Sequence, residues 1–353
     1  MVKRSGTGNA PHYLPLRRRL CAWGRLWNFA PMDFIKPTVV AIPFFVVTVI
    51  LEWWAVKAGK AKGRYETKDA VTSLSMGLGS VIVDTLLASI GVWVLMLFWP
   101  YRLFDVPVTW WSFLIIFVGY DLIYYWKHRF AHLIRFWWAE HHTHHSSEHY
   151  NLTTALRQPW FGPMTGQVIM GAPAVLLGFH PAFIAVSAGA NLVYQYWIHT
   201  EAIGRMPKWF EMVMNTPSHH RVHHATNARY LDANFAGVFI VWDKMFGTFV
   251  PELDSEKPVY GTVKPINTFN PLRVAYGEMF ALVRDCASDG LRPWRWAGRF
   301  INNPGWSPDG NHSRSRELKE AYLAAHPEQA GTPGLPAKHL KNPAKSPTAV
   351  PAE

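Results

Sequence analysis

The sequence is poor in cysteine and in charged residues. Its 353 residues include two cysteines, Cys21 and Cys286, which excludes a disulfide scaffold and a thiolate metal cluster. Charged residues make up 17% of the chain, below the roughly 25% of an ordinary soluble domain. Aromatic residues reach 15%, which is too many for an intrinsically disordered protein. This composition therefore argues against both a disordered chain and a typical soluble enzyme.

The charge that is present is mostly positive, with a formal net charge of +11. A basic chain rich in aromatic residues is suited to nucleic acid or to anionic lipid headgroups. Several long apolar runs favour lipid. We therefore expect a bilayer as the environment of this protein and no nucleic acid partner.

Three apolar runs precede the first cluster of histidines. They cover residues 37–55, 71–99 and 107–126, and each is long enough for a membrane helix. A basic segment, residues 1–36, comes before them and lacks the pattern of a cleaved signal peptide. Because basic residues flank the first run on both sides, the positive-inside rule gives no orientation.

A fourth apolar stretch, residues 159–199, contains no Asp, Glu, Lys or Arg. His180 and Pro181 lie near its middle, where proline tends to end a helix. The stretch therefore predicts two apolar helices joined by a tight turn. Such a hairpin returns the chain to the membrane face from which it left.

The polar remainder predicts a cap and an extension. Residues 201–278 are polar enough for a helical cap, in which "NFAGVFIVWDKMFGTFV" suits a short helix or an interfacial amphipathic piece. Residues 279–353 form a C-terminal extension in which "RSRELKEAYLAA" suits one helix, and which we expect to be largely disordered from about residue 302. The predicted fold is all-α: a polytopic membrane helical bundle, residues 37–278, with a histidine-rich dimetal site in a cytoplasmic helical cap.

Most of the 17 histidines lie between His128 and His224, in short boxes of regular spacing. One box has the pattern H-x-x-x-H, two have the pattern H-x-x-H-H, and a further histidine closes the apolar hairpin. On a helix, residues three or four apart lie on one face, so each box brings its imidazoles together. The candidate metal ligands are His128, His132, His141, His144, His145, His199, His220, His223 and His224.

Imidazole is a good ligand for iron, zinc and copper. One ion takes about four to six donors, so nine histidines are too many for one ion and suit two. No carboxylate repeats with the histidine spacing, which excludes a bundle of the Glu-x-x-His type. The boxes therefore predict a nitrogen-rich site for two metal ions, with one box able to serve both.

Other polar residues near the boxes are weaker candidates. A histidine that binds a metal usually donates its second N–H to a carboxylate or a carbonyl group. Candidates for this supporting role are Asp121, Glu148, Glu201 and Asn215, and His219 is a candidate further ligand. His180, in contrast, is expected to be a packed residue at the tip of the hairpin.

The boxes and their flanks resemble the fatty acid hydroxylase/sterol desaturase superfamily over residues 118–278. The flanks "HHSSEHYNLTTALRQ", "YQYWIHTE" and "NTPSHHRVHH" are most similar to its alkylglycerol monooxygenase-like branch. Leu133 departs from the animal members, which carry an acidic residue there. The resemblance implies a non-haem iron membrane oxygenase in which the histidines of the three boxes bind the metal and His199 joins them.

The resemblance also implies a reaction and its partners. We expect two Fe²⁺ ions, O₂ as co-substrate and hydroxylation or desaturation of a lipid C–H bond, with an alkylglycerol ether lipid as one candidate. A sterol or fatty-acyl desaturase or hydroxylase is the alternative, and a membrane metal transporter is a remote one. A zinc hydrolase would need H-E-x-x-H, which the sequence lacks.

The reductant stays open, because the resemblance points to tetrahydrobiopterin while the residues themselves identify no pterin pocket. An electron-donor protein is a further candidate partner. We expect an integral, multi-pass protein of a bacterial inner membrane. The histidine face is expected on the cytoplasmic side, where reductants are found.

Overall fold

The computed structural model describes residues 36–337, apart from the side chain of Ala88. Its longer helices are α1 Ile42–Lys57, α2 Thr67–Met96, α3 Trp110–Leu133, α4 Arg135–His145, α5 Pro181–Tyr196, α6 Pro217–His223, α7 Pro271–Ser288, α8 Pro293–Ile301 and α9 Ser315–Ala325. Shorter α-helices are Pro37–Val40, Leu152–Ala155, Ala172–Leu176, Lys208–Glu211 and Val241–Met245. The 3₁₀ helices are Trp99–Tyr101, Gly162–Met164, Gln167–Gly171, Ala228–Tyr230 and Pro327–Gln329.

The described residues contain no β-strand, which confirms the predicted all-α class. Extended pairing in this part of the chain is limited to isolated bridges, such as that between Met214 and Phe239. The basic segment falls almost entirely outside the described residues, as does the tail beyond residue 337.

Helix α2 presents apolar side chains to the outside along most of its length. Glu66 caps its first turn by accepting a hydrogen bond from the Asp69 backbone N–H at 2.5 Å. Within residues 36–337, only Thr67–Leu87 is both long and apolar enough to cross a bilayer, with a mean hydropathy of 1.5. A helix whose apolar residues face outward is suited to lipid rather than to the core of a soluble protein.

Helices α1 and α3 correspond to the first and third apolar runs. α1 has 16 residues and contains the buried Glu52, whose carboxylate accepts a hydrogen bond from the Leu152 backbone N–H at 2.8 Å. The hydroxyl groups of Tyr65 and Thr200 also donate to Glu52. This carboxylate therefore fastens α1 to the segments on either side of the apolar hairpin.

Only one of the two arms of the apolar hairpin, residues 159–199, forms the expected helix. Its second arm is the predicted helix, α5, but its first arm is broken into two 3₁₀ helices and the short helix Ala172–Leu176. Pro163 and Pro173 each lack a backbone N–H, and Gly166 adopts a left-handed φ of 75°. The expectation of a continuous first helix is therefore wrong for the 159–178 arm.

The turn of the hairpin lies where it is predicted. Gly178 has φ 101°, and a Cβ at this position would collide with the carbonyl oxygen of Phe104. His180 caps α5, since its Nδ1 accepts a hydrogen bond from the Ala182 backbone N–H at 3.2 Å. His180 is therefore a packed turn residue, as expected.

The core lies where α3 packs against both α5 and α4. At the end of α3 remote from the histidines, Leu95, Ile116, Val175 and Ile184 form one apolar cluster. Helix α7 covers α4 from the other side and meets α2 in a second cluster around Met76 and Val274. These contacts hold the C-terminal ends of α3 and α4 at one end of the bundle.

Residues 302–337 belong to the C-terminal extension, which the sequence predicts to be largely disordered from about residue 302. The predicted helix in "RSRELKEAYLAA" is present as α9. The buried Arg229 holds the following segment, donating hydrogen bonds to Gln329 Oε1 at 2.7 Å and to the Pro333 carbonyl at 2.9 Å. This arginine therefore links the residues after α9 to the segment that follows the third histidine box.

Candidate metal centre

The first histidine box ends α3. His128 and His132 lie four residues apart on this helix, and both are buried. His128 Nδ1 lies 2.7 Å from the Phe235 carbonyl oxygen, and His132 Nδ1 lies 3.6 Å from Asp232 Oδ1. The first contact is a hydrogen bond that fixes the ring, whereas the second is too long to be one.

The second and third boxes lie on short helices that face α3. Box two forms the last turns of α4, and box three lies on α6, with His224 as its C-terminal cap. His199 follows α5 directly. The turns that end four helices therefore meet at one point, which brings side chains from distant parts of the sequence together.

The nine candidate ligands fall into two groups. The five-histidine group consists of His128, His132, His141, His145 and His223, and the four-histidine group consists of His144, His199, His220 and His224. Within each group, the candidate donor nitrogens lie within 4.8 Å of one another. His145 and His224 connect the groups, because their rings stack with centroids 4.3 Å apart.

Helix geometry explains how one box serves both groups. His141 and His145 are four residues apart, lie on one face of α4 and belong to the five-histidine group. His144 is rotated by about 100° from His145 and so points to the other group. Box three shows the inverse arrangement, in which His220 and His224 share the four-histidine group while His223 turns to the five-histidine group.

The ring nitrogens that face one another suit a bound cation. His199 Nδ1 lies 2.7 Å from the Gln195 carbonyl and His144 Nδ1 lies 3.3 Å from the Arg157 carbonyl, so both Nδ1 atoms carry the proton. Each of the two Nε2 atoms then carries an unshared lone pair, yet the two atoms lie only 3.1 Å apart. Two lone pairs at this distance repel each other unless a positive ion lies between them.

The distances are those of ligands that share one ion. A first-row metal ion binds imidazole nitrogen at about 2.1 Å, so two ligands at a right angle lie about 3.0 Å apart. The Nε2 atoms of His128 and His141 are 2.9 Å apart, and those of His145 and His141 are 3.1 Å apart. The buried Nε2 atoms of His132, His223 and His224 have no hydrogen-bond partner among the described residues. The donor set therefore fits two transition-metal ions.

Burial keeps these imidazoles in the neutral form that binds metal. Removal from water lowers the pKa of His144 to about 4, and the Arg157 charge adds to this effect. Burial followed by neighbouring histidines lowers the pKa of His145, His220, His223 and His224 well below the usual range. At neutral pH the site therefore offers lone pairs instead of positive charges.

The loop of residues 232–236, here called the carbonyl loop, orients two of the ligands. The Ala233 carbonyl accepts from His223 Nδ1 at 2.9 Å, and the Phe235 carbonyl accepts from His128. Asp232 and Asn234 adopt left-handed φ values of 53° and 55°, which turn both carbonyl groups toward the histidines. Such strain persists only where the surrounding structure enforces it, and it clusters at functional sites.

Two buried polar side chains hold the carbonyl loop in place. The Asp243 carboxylate accepts from the backbone N–H groups of Phe235 and Ala236, each at 2.8 Å. The Asn234 side chain donates to the carbonyls of His219 and Val250 and accepts from the Val250 N–H. The loop is therefore fixed by side chains that never touch a histidine ring.

A buried arginine supports the other side of the centre. Arg157 is 1% exposed and forms an ion pair with Asp69 at 2.6 Å. It also donates to Ser146 Oγ at 2.9 Å, one residue after box two, while its own carbonyl accepts from His144. This cluster ties the start of α2 to the end of α4.

The structure brings the nine candidate ligands together, whereas the residues that hold their rings differ from the predicted supports. All nine predicted histidines meet in the two groups. His219 lies outside both, because its ring packs against Phe249 and its Nε2 lies 4.0 Å from Glu211. The same helix turn that directs His220 and His223 inward directs His219 away.

Asp121 supports the structure at a different place from the one expected. It lies on the same face of α3 as His128 but two turns away. Its carboxylate accepts from the backbone N–H groups of Val238 and Phe239, at 2.8 and 2.9 Å, and from the Trp242 indole at 2.8 Å. It therefore anchors the chain that follows the carbonyl loop, and it does not hydrogen-bond a ligand.

The remaining predicted supports also lie apart from the histidine rings. Asn215 donates to the Ala236 carbonyl at 2.6 Å, at the end of the carbonyl loop. Glu148 and Glu201 line a cleft of about 730 Å³ beside Tyr260, whose hydroxyl donates to Glu201 at 3.1 Å. The Tyr260 ring stacks on Tyr150, which is 5.2 Å from the His224 ring. The cleft thus approaches the four-histidine group through two tyrosines.

The segment "NFAGVFIVWDKMFGTFV" is mostly not helical. Only Val241–Met245 forms a short helix, because residues 234–239 give their backbone groups to Asp121, Asp243 and Asn215 instead of to a helix. The signal for this arrangement is present in "LDANFAG", since Asp and Asn are the residues that best tolerate a left-handed φ.

Comparison with known proteins agrees with the geometry. The fatty acid hydroxylase family model matches residues 113–248, which contain all three boxes. Alkylglycerol monooxygenase of Homo sapiens is 42% identical over 290 residues, or 78% of this chain and 60% of the human protein. The Xenopus tropicalis and Danio rerio proteins of that name are each 40% identical, over 78% and 80% of this chain and 60% and 62% of their own lengths.

The chain thus spans about three fifths of the length of these relatives. A comparison with solved structures gives no match. The matched domain contains the complete set of histidines that form the two groups. The expected resemblance is confirmed: the chain contains a domain that matches the fatty acid hydroxylase family model and is similar to alkylglycerol monooxygenases over most of its length.

Proposed function

We propose that this chain is a membrane di-iron oxygenase that hydroxylates a C–H bond of a lipid. The observation that carries the proposal is the convergence of nine imidazoles into two groups whose lone pairs face one another at about 3 Å. The relatives named alkylglycerol monooxygenase support an ether lipid as the substrate. A sterol or fatty-acyl substrate of the same superfamily is the alternative.

In this proposal each histidine group holds one ion. Nitrogen-only donors suit iron, zinc or copper, and family membership favours iron. The cysteine that the structure describes, Cys286, lies in α7 outside both groups. When bound, the two irons supply the activation of O₂ and the removal of hydrogen from an unactivated C–H bond.

The chain contributes orientation and the exclusion of water. Backbone carbonyls hold the Nδ1–H of His128, His144 and His199, so that each Nε2 points into the site. Burial keeps bulk water from the ions and the imidazoles neutral. The polar cleft beside Tyr260 gives a route for reductant, and the uncharged residues 159–199 give a wall for an alkyl chain.

The overall reaction consumes the lipid, O₂, two electrons and two protons, and it gives an alcohol and water. On an ether lipid, hydroxylation of the carbon next to the ether oxygen gives a hemiacetal. This product collapses to an aldehyde and a free alcohol. The two electrons come from a reductant, for which tetrahydrobiopterin and an electron-donor protein are the candidates.

The membrane arrangement belongs to the same proposal. We infer that α2 crosses the bilayer and that α1 and α3 accompany it as part of a multi-pass domain over residues 37–278. The outward apolar side chains of α2 support this arrangement. The histidine end would then face the cytoplasm of a bacterial cell, where reductants are available.

The direct test is oxygen incorporation by the purified chain in lipid nanodiscs. The enzyme is loaded with Fe²⁺ and given ¹⁸O₂, a reductant and either an alkylglycerol, a fatty acyl lipid or a sterol. We expect ¹⁸O in the product from the alkylglycerol, and release of its aldehyde. A double bond without ¹⁸O would show a desaturase, and metal uptake into proteoliposomes without lipid turnover would show a transporter.

A matched pair of variants makes the test specific. His144→Ala removes a ligand of the four-histidine group and should abolish turnover. His219→Ala removes a buried histidine that directly precedes the third box but lies outside both groups, so this variant should retain turnover. Full activity and full iron in His144→Ala would overturn the ligand assignment.

A further inference from the structure

The outer face of α7 carries an apolar stripe far from the histidines. Leu272, Phe280 and Val283 are 61%, 68% and 54% exposed. With about 100° per residue, Val283 and Phe280 lie about 20° and 80° around the helix from Leu272. These three side chains therefore occupy a sector of about 80°, and the buried Val274 and Leu282 lie outside it, about 160° and 120° from its centre.

Large apolar side chains are also exposed on the turn after α7 and on α8. Leu291 is 91% exposed, Trp294 is 71% exposed and Ile301 is 65% exposed. Contiguous apolar residues of this size on a surface mark an interaction site. A tryptophan among them is typical of the headgroup region of a bilayer.

Near the stripe, the acidic side chains lie on the inner side of the helices and the exposed arginines lie on the outer side. The acidic residues Glu278, Asp285 and Asp289 turn inward, where they pair with Arg135 and Arg299. The exposed Arg273 and Arg284 lie about 100° and 120° around α7 from Leu272, along one edge of the stripe. Neither forms a salt bridge with any described residue, so the outer face is basic as well as apolar.

The stripe is continuous with the outward apolar surface of α2. The hydroxyl of Thr72 donates to the Phe269 carbonyl at 3.0 Å, which joins α2 to the residues before α7. On either side of this contact, Val71, Leu74 and Phe269 are 56%, 44% and 47% exposed. Exposed apolar side chains thus lie on both sides of the contact between the candidate membrane helix and the residues before α7.

We propose that this surface, the α7–α8 face, lies in the headgroup layer of an anionic bilayer. Its apolar side chains reach the acyl boundary, while Arg273 and Arg284 bind lipid phosphates. Long arginine side chains can extend from an apolar stripe to the headgroups in this way. The region that the sequence predicts as a solvated cap and extension is then partly interfacial, and this holds whether or not the metal centre has the proposed activity.

The test measures the environment of single labelled positions in the full chain. Cys21 and Cys286 are replaced by alanine, and an environment-sensitive fluorophore is attached at Val283→Cys or Leu291→Cys, in nanodiscs. The matched control is Arg316→Cys, on the exposed surface of α9. We expect both α7–α8 positions to be quenched by spin-labelled lipid and protected from iodide, with the reverse result at 316.

The charge part of the proposal has its own measurement. Each arginine near an anionic surface contributes a factor of about 5, so two favour phosphatidylglycerol over phosphatidylcholine by about 25-fold. Quenching of the label at 283 by headgroup-labelled forms of the two lipids gives this preference. We expect Arg273→Gln/Arg284→Gln to abolish it.

Three results would overturn the proposal. The first is iodide quenching of the label at 283 that is as strong as quenching of the control label. The second is equal quenching by the two labelled lipids in the parent chain. The third is cross-linking of position 283 to a second copy of the chain. Bound iron and lipid turnover, measured on the same samples, separate a failure of this proposal from a failure of the proposed function.

Discussion

Replacement of Asn234 by alanine tests whether the carbonyl loop is needed for the metal centre. Asn234 is fully buried and has φ 55°, and its side chain makes three hydrogen bonds, to the His219 carbonyl and to both backbone groups of Val250. None of these hydrogen bonds involves the ring of a candidate ligand. Any loss of metal in Asn234→Ala must therefore come from movement of the carbonyls that orient His128 and His223.

The expected cost follows from these contacts. Three buried hydrogen bonds contribute about 1 kcal/mol each, so their loss costs about 3 kcal/mol. Alanine in a left-handed conformation adds about 1 kcal/mol. A total of about 4 kcal/mol should lower the Tm by about 10 °C. Loss of ligand support should also weaken iron binding by about 10-fold to 100-fold.

The assay is thermal unfolding in detergent together with iron content after dialysis against a graded chelator. Asn267→Ala is the matched control, because Asn267 is exposed and has a similar φ of 48°, so it should lose only the contribution of backbone strain. An Asn234→Ala protein that retains its iron and unfolds within about 2 °C of the control would refute the role of the loop.

The remaining predictions concern the supports around the centre. Asp243→Asn should weaken iron binding while the fold persists, because the amide has one acceptor oxygen and can accept a hydrogen bond from only one of the two loop N–H groups. Iron that resists the chelator as well as in the parent chain would contradict this. Arg157→Met leaves the buried Asp69 without its charged partner and with only the hydrogen bond from Ser147, so it should cost about 3–5 kcal/mol in the free energy of unfolding, and Arg157→Met/Asp69→Leu should recover part of the loss. If the double variant is no more stable than the single one, the ion pair is not what Arg157 provides. Asp121→Asn should lower the Tm but leave the iron content unchanged, and iron loss at an unaltered Tm would argue for direct support of a ligand.

The histidine set was predictable because its information is local. H-x-x-H-H on a helix places its outer members on one face and the inner one on another, which is how His141 and His145 join one group while His144 joins the other. Where those short helices meet depends on the long-range contacts of α3, α4 and α5. The boxes imply such a meeting, but only the structure supplies its geometry.

The supports were not predictable because backbone groups form most of them. The carbonyls of Ala233, Phe235 and Gln195 leave no signature in side-chain spacing. Asp121 was expected next to His128 because the two share a helix face. Seven residues correspond to about 10 Å along the helix, which is too far for a hydrogen bond.

Composition also does not predict where proline and glycine interrupt a helix or where a few buried contacts fix a segment. The 159–178 arm is apolar enough for a helix, but its prolines and glycines interrupt it. Residues 302–337 read as a solvated tail, yet Arg229 and α9 order them. Hydropathy counts average composition and therefore does not detect either effect.

The most direct test of the account is the number of iron ions bound per chain, measured by elemental analysis and Mössbauer spectroscopy on the purified protein. Two irons are expected in the parent chain. His132→Ala, in the five-histidine group, and His220→Ala, in the four-histidine group, should each weaken the binding of the iron in their own group and leave the other iron in place. A parent chain that binds one iron or none under saturating conditions, or variants of both groups that change the same ion, would contradict a centre built from two histidine groups.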